Sequence, residues 1–379
     1  TAQGNTDANG IGDFYYAPPS GFLALCTSNL PEPTIGPNAL TQADDHFNTV
    51  LYNGTNSTNN VTGVGFQPDW VWIKRRNDGS SFHAIHDSSR PTYAYLRTSG
   101  NNVENTDSGS DWFRSFDSDG FTVVRTSTSS GTTGQWNQSG GTFVGWNWKA
   151  NGGTTSSNTD GSITSTVQAN TDAGFSIVTY TGTGSNVTIG HSLGSVPKMI
   201  IVKNRDAVND WVIYHIGLSG AAYYVRLNTT NAQAVATNIW QGATPTSSVF
   251  SIGTSAASNA SGNDYVAYCF AEIEGYSKFG SYTGNGSTDG TFVHTGFRPA
   301  WVLIKRTDST TDWTIYDNIR SPFNLVDDFI RPNLSNAEAT SSTNSFDFLS
   351  NGFKARGTGG TVNSGNLIYM AFAEAPFKY

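Results

Sequence analysis

The sequence predicts an all-β protein made of tandem antiparallel β-sandwiches of jelly-roll type, and three observations carry that prediction. Charged residues are only 13 % of the 379, while 10 Trp, 16 Tyr and 22 Phe stand among abundant Gly, Ser, Thr and Asn. Strand-favouring aromatics between turn formers are the composition of a β protein. A short apolar run is written three times, "WVWI" at 70–73, "MIIV" at 199–202 and "WVLI" at 301–304, each preceded by proline and closed by lysine. Such a run suits a strand buried on both faces or in a sandwich core. Third, "FVGWNWKA", "YVAYCFAEI" and "IYMAFAEA" alternate large aromatics with small residues, the period of a strand packed on a core.

The landmarks recur in a fixed order and define three units. They are Tyr52, Tyr180 and Tyr282; Pro68, Pro197 and Pro299; Lys74, Lys203 and Lys305; Ile85, Ile213 and Ile315; Trp148, Phe270 and Phe372. The spacing gives a module at 46–150, a second at 160–275 and a third at 276–379, each the size of a domain and too large for a solenoid repeat. Residues 1–45 match none of them and read as the tail of another domain followed by a Pro-rich linker. The best helical candidates, around 218–227 and 321–331, are short and interrupted by Gly or Pro. The two cysteines, Cys26 and Cys269, read as buried free thiols.

Composition also limits the chemistry. A net charge of −8 without a basic run excludes a phosphate-neutralising nucleic-acid surface. The absence of any apolar run of 18 residues argues against insertion in a membrane as a helix. The start at Thr1 suggests cleavage or the ordered part of a longer polypeptide.

Each candidate site has a plain alternative. The repeated lysines sit at strand ends, where the stem can lie on the sandwich and the charge reach solvent, or where Lys and Arg can face a ligand. His83 and His86 of "HAIH" fall on opposite faces of a strand, which opposes a shared zinc. Asp117 and Asp119 of "FDSDG" suit a hairpin turn better than calcium. Glu272 and Glu274 have the spacing of a hydrolase pair on one side of a strand, but the following third acid of that signature is missing. No catalytic set, metal site or cofactor is read from the chain. What remains is loop chemistry: Trp112, Trp136, Trp240 and Tyr282 among short polar groups could stack on and bond a sugar. The first unit has the densest set, so Arg90 and Trp112 are the leading glycan contacts, with Asp87 and Trp136 beside them and Arg320 as the counterpart in the third unit. The alternative for Asp87 and Arg90 is a surface salt bridge across a turn.

Two sets of stretches carry a resemblance. "DFYYAPPSGFLALCTSNLPEP" resembles the C-terminal edge of SPRY-like domains in large structural proteins of tailed phages, especially marine and cyanobacterial ones. "GFQPDWVWIKRR", "AIHDSSR", "FDSDGFTV" and "FVGWNWKA" are similar to the concanavalin-like, lectin-like modules that follow that edge. The second unit departs from the pattern, lacking the Asp-x-x-Arg of Asp87/Arg90 and Asp317/Arg320. The resemblance implies a protein of the virion surface on the extracellular phage particle: a tail fibre or appendage in receptor binding, through carbohydrate binding to host glycan. A head decoration or capsid fibre with an assembly role is the alternative, and a polysaccharide depolymerase a third. Other virion proteins and a homo-oligomer, a trimer by preference, are the expected partners.

Overall fold

The computed structural model describes residues 3–26, 29, 35–36, 41–106, 111–126 and 134–375. The protein is all-β, and among the described residues it has two single-turn α-helices, Thr237–Trp240 and Ala256–Asn259. Neither of the two weak helical candidates, 218–227 and 321–331, forms a helix. Tyr223–Arg226 is a strand and Asp328–Phe329 a two-residue one, because tertiary pairing outweighs weak local propensity.

Each unit repeats one sheet. Its first strand pairs with its last, the last with the strand that carries the proline–lysine motif, and that motif strand with a short hairpin partner, all antiparallel. The four are Phe47–Asn53, Thr142–Trp148, Trp70–Arg75 and Ala84–Asp87 in the first unit. They are Phe175–Thr181, Asp264–Ala271, Pro197–Asn204 and Val212–His215 in the second, and Ser277–Asn285, Ser364–Ala373, Pro299–Arg306 and Trp313–Asp317 in the third. A smaller antiparallel sheet covers one face, with three strands in the first and third units and two in the second. Among the described residues only the second unit extends its large sheet beyond the first strand, by Ser165–Asn170 and Ser156–Asn158.

The apolar runs are continuous because both faces of these sheets are buried. In the motif strand of the first unit, Val71 and Ile73 enter the core between its two sheets, where Phe113, Phe121 and Phe143 pack. Trp70 and Trp72 point the other way, into a cluster shared by all three units. The second unit divides its strand likewise, with Ile200 and Val202 inside the sandwich and Met199 and Ile201 in the shared cluster. The units are therefore not separate bodies on a string. Ring centroids lie 4.8 Å apart between Trp70 and Tyr268, 5.5 Å between Trp148 and Trp301, 5.1 Å between Phe47 and Phe372 and 6.2 Å between Phe270 and Phe372. First meets second, second meets third and third meets first, so the three sheets close a ring around one aromatic core. Rings that each bury about 150–250 Å² make this the largest apolar term in the fold.

Residues 3–26 form an arm outside the ring. Backbone N–H groups of Asn9, Ile11 and Ala24 converge on the Asp7 carboxylate. The arm leaves Tyr16, Phe22 and Leu25 largely exposed. Cys269 is buried as expected, but Cys26, on the arm, is only half-buried.

Candidate functional site

The repeated lysine has a different task from the one its position suggests. Lys74, Lys203 and Lys305 are fully buried, so their charge does not reach solvent. Each ammonium donates to main-chain carbonyls of its own unit and of the preceding one. Lys74 bonds Ser81 at 2.6 Å and Ser335 at 2.8 Å; Lys203 bonds Asn209 at 2.7 Å and Asn101 at 3.2 Å; Lys305 bonds Thr311 at 2.7 Å and Thr230 at 3.0 Å. Burial pushes all three pKa values down to about 8, which leaves them charged at neutral pH. The lysine is a cyclic clasp, used once at each seam between units.

Other bonds follow the same cycle. The Trp211 indole donates to the Arg97 carbonyl at 2.9 Å and Trp313 to Arg226 at 2.8 Å, while His83, the equivalent position in the first unit, faces the Arg331 backbone. The amides of Glu104, Gln233 and Glu338 bond the carbonyls of Arg205, Thr307 and Arg76 across the three seams, each at 2.8 Å.

Arg90 and Asp87 lie in the seam between the first and second units. Arg90 donates to Asp87 at 2.7 Å, is paired with Glu104 and reaches the Ile85 carbonyl. Glu104 takes a second, two-pronged bond from Arg205, and the Tyr268 hydroxyl donates to Asp87 at 2.7 Å. The Arg90 side chain is 1 % exposed. Burial works against ionisation here, yet the paired charges win, holding Glu104 below the usual range and Arg90 above its own. Arg320 repeats the arrangement between the third and first units. It bonds Asp317 at 2.6 Å and Glu338 at 3.0 Å, Glu338 is gripped by Arg76, and the Trp146 indole donates to Asp317 at 2.9 Å.

The expected surface site is thus corrected. Asp87, Arg90 and Arg320 are seam residues without a face to offer a glycan, and their ion pairs are buried, not superficial. Trp136 is 5 % exposed and donates to His86 Nε2 inside the sandwich. Trp240 and Tyr282 are buried too. Trp112 is half-buried on the strand Asp111–Asp117, not in a loop. His83 accepts the Trp72 indole N–H at 3.0 Å on the opposite side of its strand from His86, so the two do not converge. Among the described residues no group of three or more His, Cys, Asp or Glu is placed to hold a metal ion. Asp117 pairs with Gly120 across a two-residue hairpin turn that contains Asp119, and Asp119 accepts the amides of Gly63 and Gly65. Glu272 and Glu274 lie past the end of their strand, with Glu272 paired to Lys278, so they do not share a strand face.

Sequence reasoning missed an accessible cleft of about 180 Å³ where the third unit meets the first. Asp44, Asn48 and Thr49 line it from one side and Ala300, Asn318 and Glu374 from the other. No motif marks it, because its residues come from four separate segments.

No curated protein and no solved structure matches the chain. One family model, described as a domain of unknown function (DUF7483), matches residues 42–376, a span that begins just before the first strand of the ring and ends just after the last. The protein belongs to the DUF7483 family.

Proposed function

We propose that this protein is a structural module of a tailed-phage virion, carried on the particle surface as part of a tail fibre or appendage that touches host glycans. The observation that carries the structural part is the fate of the charged groups: the repeated Lys, Asp, Arg and Glu are consumed in joining three units into one ring. Chemistry that a catalyst would expose is here spent on rigidity. The resemblance to phage structural proteins supplies the setting, and the ring obtains within one chain the threefold arrangement that fibres commonly take from three.

The adhesive part rests on the resemblance alone. The exposed Tyr16, Phe22 and Leu25 of the arm favour a second reading, a head decoration or capsid fibre in which the arm docks on another virion protein. No observation favours a depolymerase. Mass spectrometry of purified particles from the source, with antibody labelling of the chain, tests the proposal. Labelling at the tail supports it, labelling at the head supports the second reading, and absence of the chain from particles contradicts both.

A further inference from the structure

The second unit shows what the sheet of the first leaves open. Phe47 pairs with Trp148 as Phe175 pairs with Phe270, so Thr49, Val50 and Leu51 stand where Ile177, Val178 and Thr179 stand in the second unit. In that register the His46 carbonyl accepts from Lys149 and the Gly54 amide donates to Gly141, which assigns the even-numbered residues to the last strand. Phe47, Thr49, Leu51 and Asn53 therefore turn their N–H and C=O groups outward. In the second unit the counterparts of the first three are covered by Ser165–Asn170, with Thr166 opposite Thr179, Val167 opposite Val178 and Gln168 opposite Ile177. Among the described residues no strand takes that place on Phe47–Asn53.

This edge is also unguarded. Its sequence, FNTVLYN, holds neither charge nor proline, the usual guards of a free edge. Two of its outward groups are held by side chains alone, the Thr49 amide by Asn48 and the Asn53 carbonyl by Asn59, and a strand can displace both. The first strand of the third unit differs. It carries Lys278, paired with Glu272, and its Gly280 carbonyl lies so close to Gly217 of the second unit that a Cβ there would approach to 2.9 Å.

The covering strand points to the occupant. In the register of the second unit, STVQAN at 165–170 falls on NTVLYN at 48–53, the edge strand itself: Thr166 on Thr49, Val167 on Val50 and Asn170 on Asn53. A second copy running antiparallel thus sets Val50 against its own counterpart, as Val167 meets Val178, and Thr49 against Leu51 of the other copy. The outward groups are odd-numbered on both strands, so the ladder closes about a twofold axis between the two Val50 residues. The change from Gln168 to Leu51 is matched by what it meets. Gln168 enters a polar seam of Ser88, Ser89, Asn151 and Asp69. Opposite Thr49 the second copy's Leu51 enters the cleft, where Asn318, Ile319, Ala375 and Ala300 hold the same four positions. Leu51 and Ile319 are 40 % and 42 % exposed in the single chain, and the pairing covers both.

We infer that two copies of this chain join through Phe47–Asn53, which pair as antiparallel strands and merge the two first-unit sheets into one, with Leu51 of each copy seated in the cleft of the other. The inference is independent of the phage reading. Two short strands bury less than a standard interface, so the association is weak, and sedimentation velocity of the whole chain from about 5 to about 500 µM tests it. A monomer–dimer equilibrium is expected. Leu51→Glu, which brings a carboxylate to Asp44 and Glu374, should raise the dissociation constant by at least about tenfold with the melting temperature unchanged. The register has its own test in a Cys26→Ser background. The facing Val50 residues place their Cα atoms about 4.5 Å apart, within reach of a disulfide, so Val50→Cys should link into a dimer on mild oxidation while Asn53→Cys should not. A monomer at the highest concentration, a trimer, a dimer undiminished by Leu51→Glu, or failure of Val50→Cys to link overturns the inference.

Discussion

Two seams of the ring hold a buried carboxylate–guanidinium set, and the third lacks one and is neutral apart from its lysine clasp. Between the first and second units stand Asp87, Arg90, Glu104 and Arg205, and between the third and first stand Asp317, Arg320, Glu338 and Arg76. The equivalent positions between the second and third units are His215, Leu218, Gln233 and Thr307. All four charges are missing together. A buried carboxylate without its guanidinium, or the reverse, would cost more than the whole set contributes, so the cluster is kept or dropped as a unit. The groups facing it change as well. Asp87 and Asp317 face the donors Tyr268 and Trp146, while in the neutral seam Met370 occupies the equivalent position of the last strand and donates nothing. His215 turns instead to the Tyr369 carbonyl, at 3.0 Å, and its other nitrogen accepts the Gly217 amide.

The largest effect should come from breaking one charged set partway. Arg90→Met or Arg320→Met leaves the buried Asp87 or Asp317 carboxylate without its guanidinium, while Glu104 and Glu338 keep Arg205 and Arg76, and is expected to cost about 3–5 kcal/mol in denaturant unfolding, whereas Leu218→Met in the neutral seam should cost under about 1.5 kcal/mol. Equal losses at all three would show that the arginines act only as packing.

Acid should distinguish the seams next. Burial pulls His215 down to about 4, from an unfolded value near 6.5, so folding favours its neutral form. That contribution is complete above pH 6.5 and is lost as pH falls from 6.5 to 4, by about 3 kcal/mol at the lower end. Glu104 and Glu338, held below 4.5, lose theirs only at lower pH. His46, His83, His86 and His191 are also pulled down by burial, so His215→Gln should make the stability profile between pH 6.5 and 4 shallower without flattening it, and an unchanged slope would remove His215 as an acid-sensitive contact.

The lysine clasp is common to all seams and should ignore the difference. Substitution of Lys74, Lys203 or Lys305 by Met leaves carbonyls of two units unpaired, for about 2 kcal/mol each, read as similar shifts of the unfolding midpoint. A loss confined to the charged seams would mean that the lysines belong to the charge clusters.

Smallest of all should be the complete exchange. Asp87→His, Arg90→Leu, Glu104→Gln and Arg205→Thr together rebuild the first seam on the pattern of the neutral one, at about 1 kcal/mol or less. A cost equal to that of Arg90→Met alone would contradict the account of the charges as one set.

The sequence carried the fold further than the site. Pro68, Lys74 and Trp148 with their equivalents marked strands because period and run length are local properties, and the two-faced burial of "WVWI" was readable from its continuity. What Lys74 bonds was not readable, since Ser335 lies 261 residues away and offers only a carbonyl, which any residue has. Arg90 and Trp136 were misplaced for a related reason. An Arg beside an Asp, or a Trp among polar residues, has the same local signature on a surface as in a seam, and only the closure of the ring decides. The one departure the sequence did show, the missing Asp-x-x-Arg of the second unit, turned out to mark the neutral seam.

The central claim is that three units share one core and fold as one body, and differential scanning calorimetry of the whole chain tests it most directly. The account predicts one transition whose van't Hoff and calorimetric enthalpies agree. Two or three resolved transitions, or a calorimetric enthalpy several times the van't Hoff value, would contradict it and return the units to independent domains.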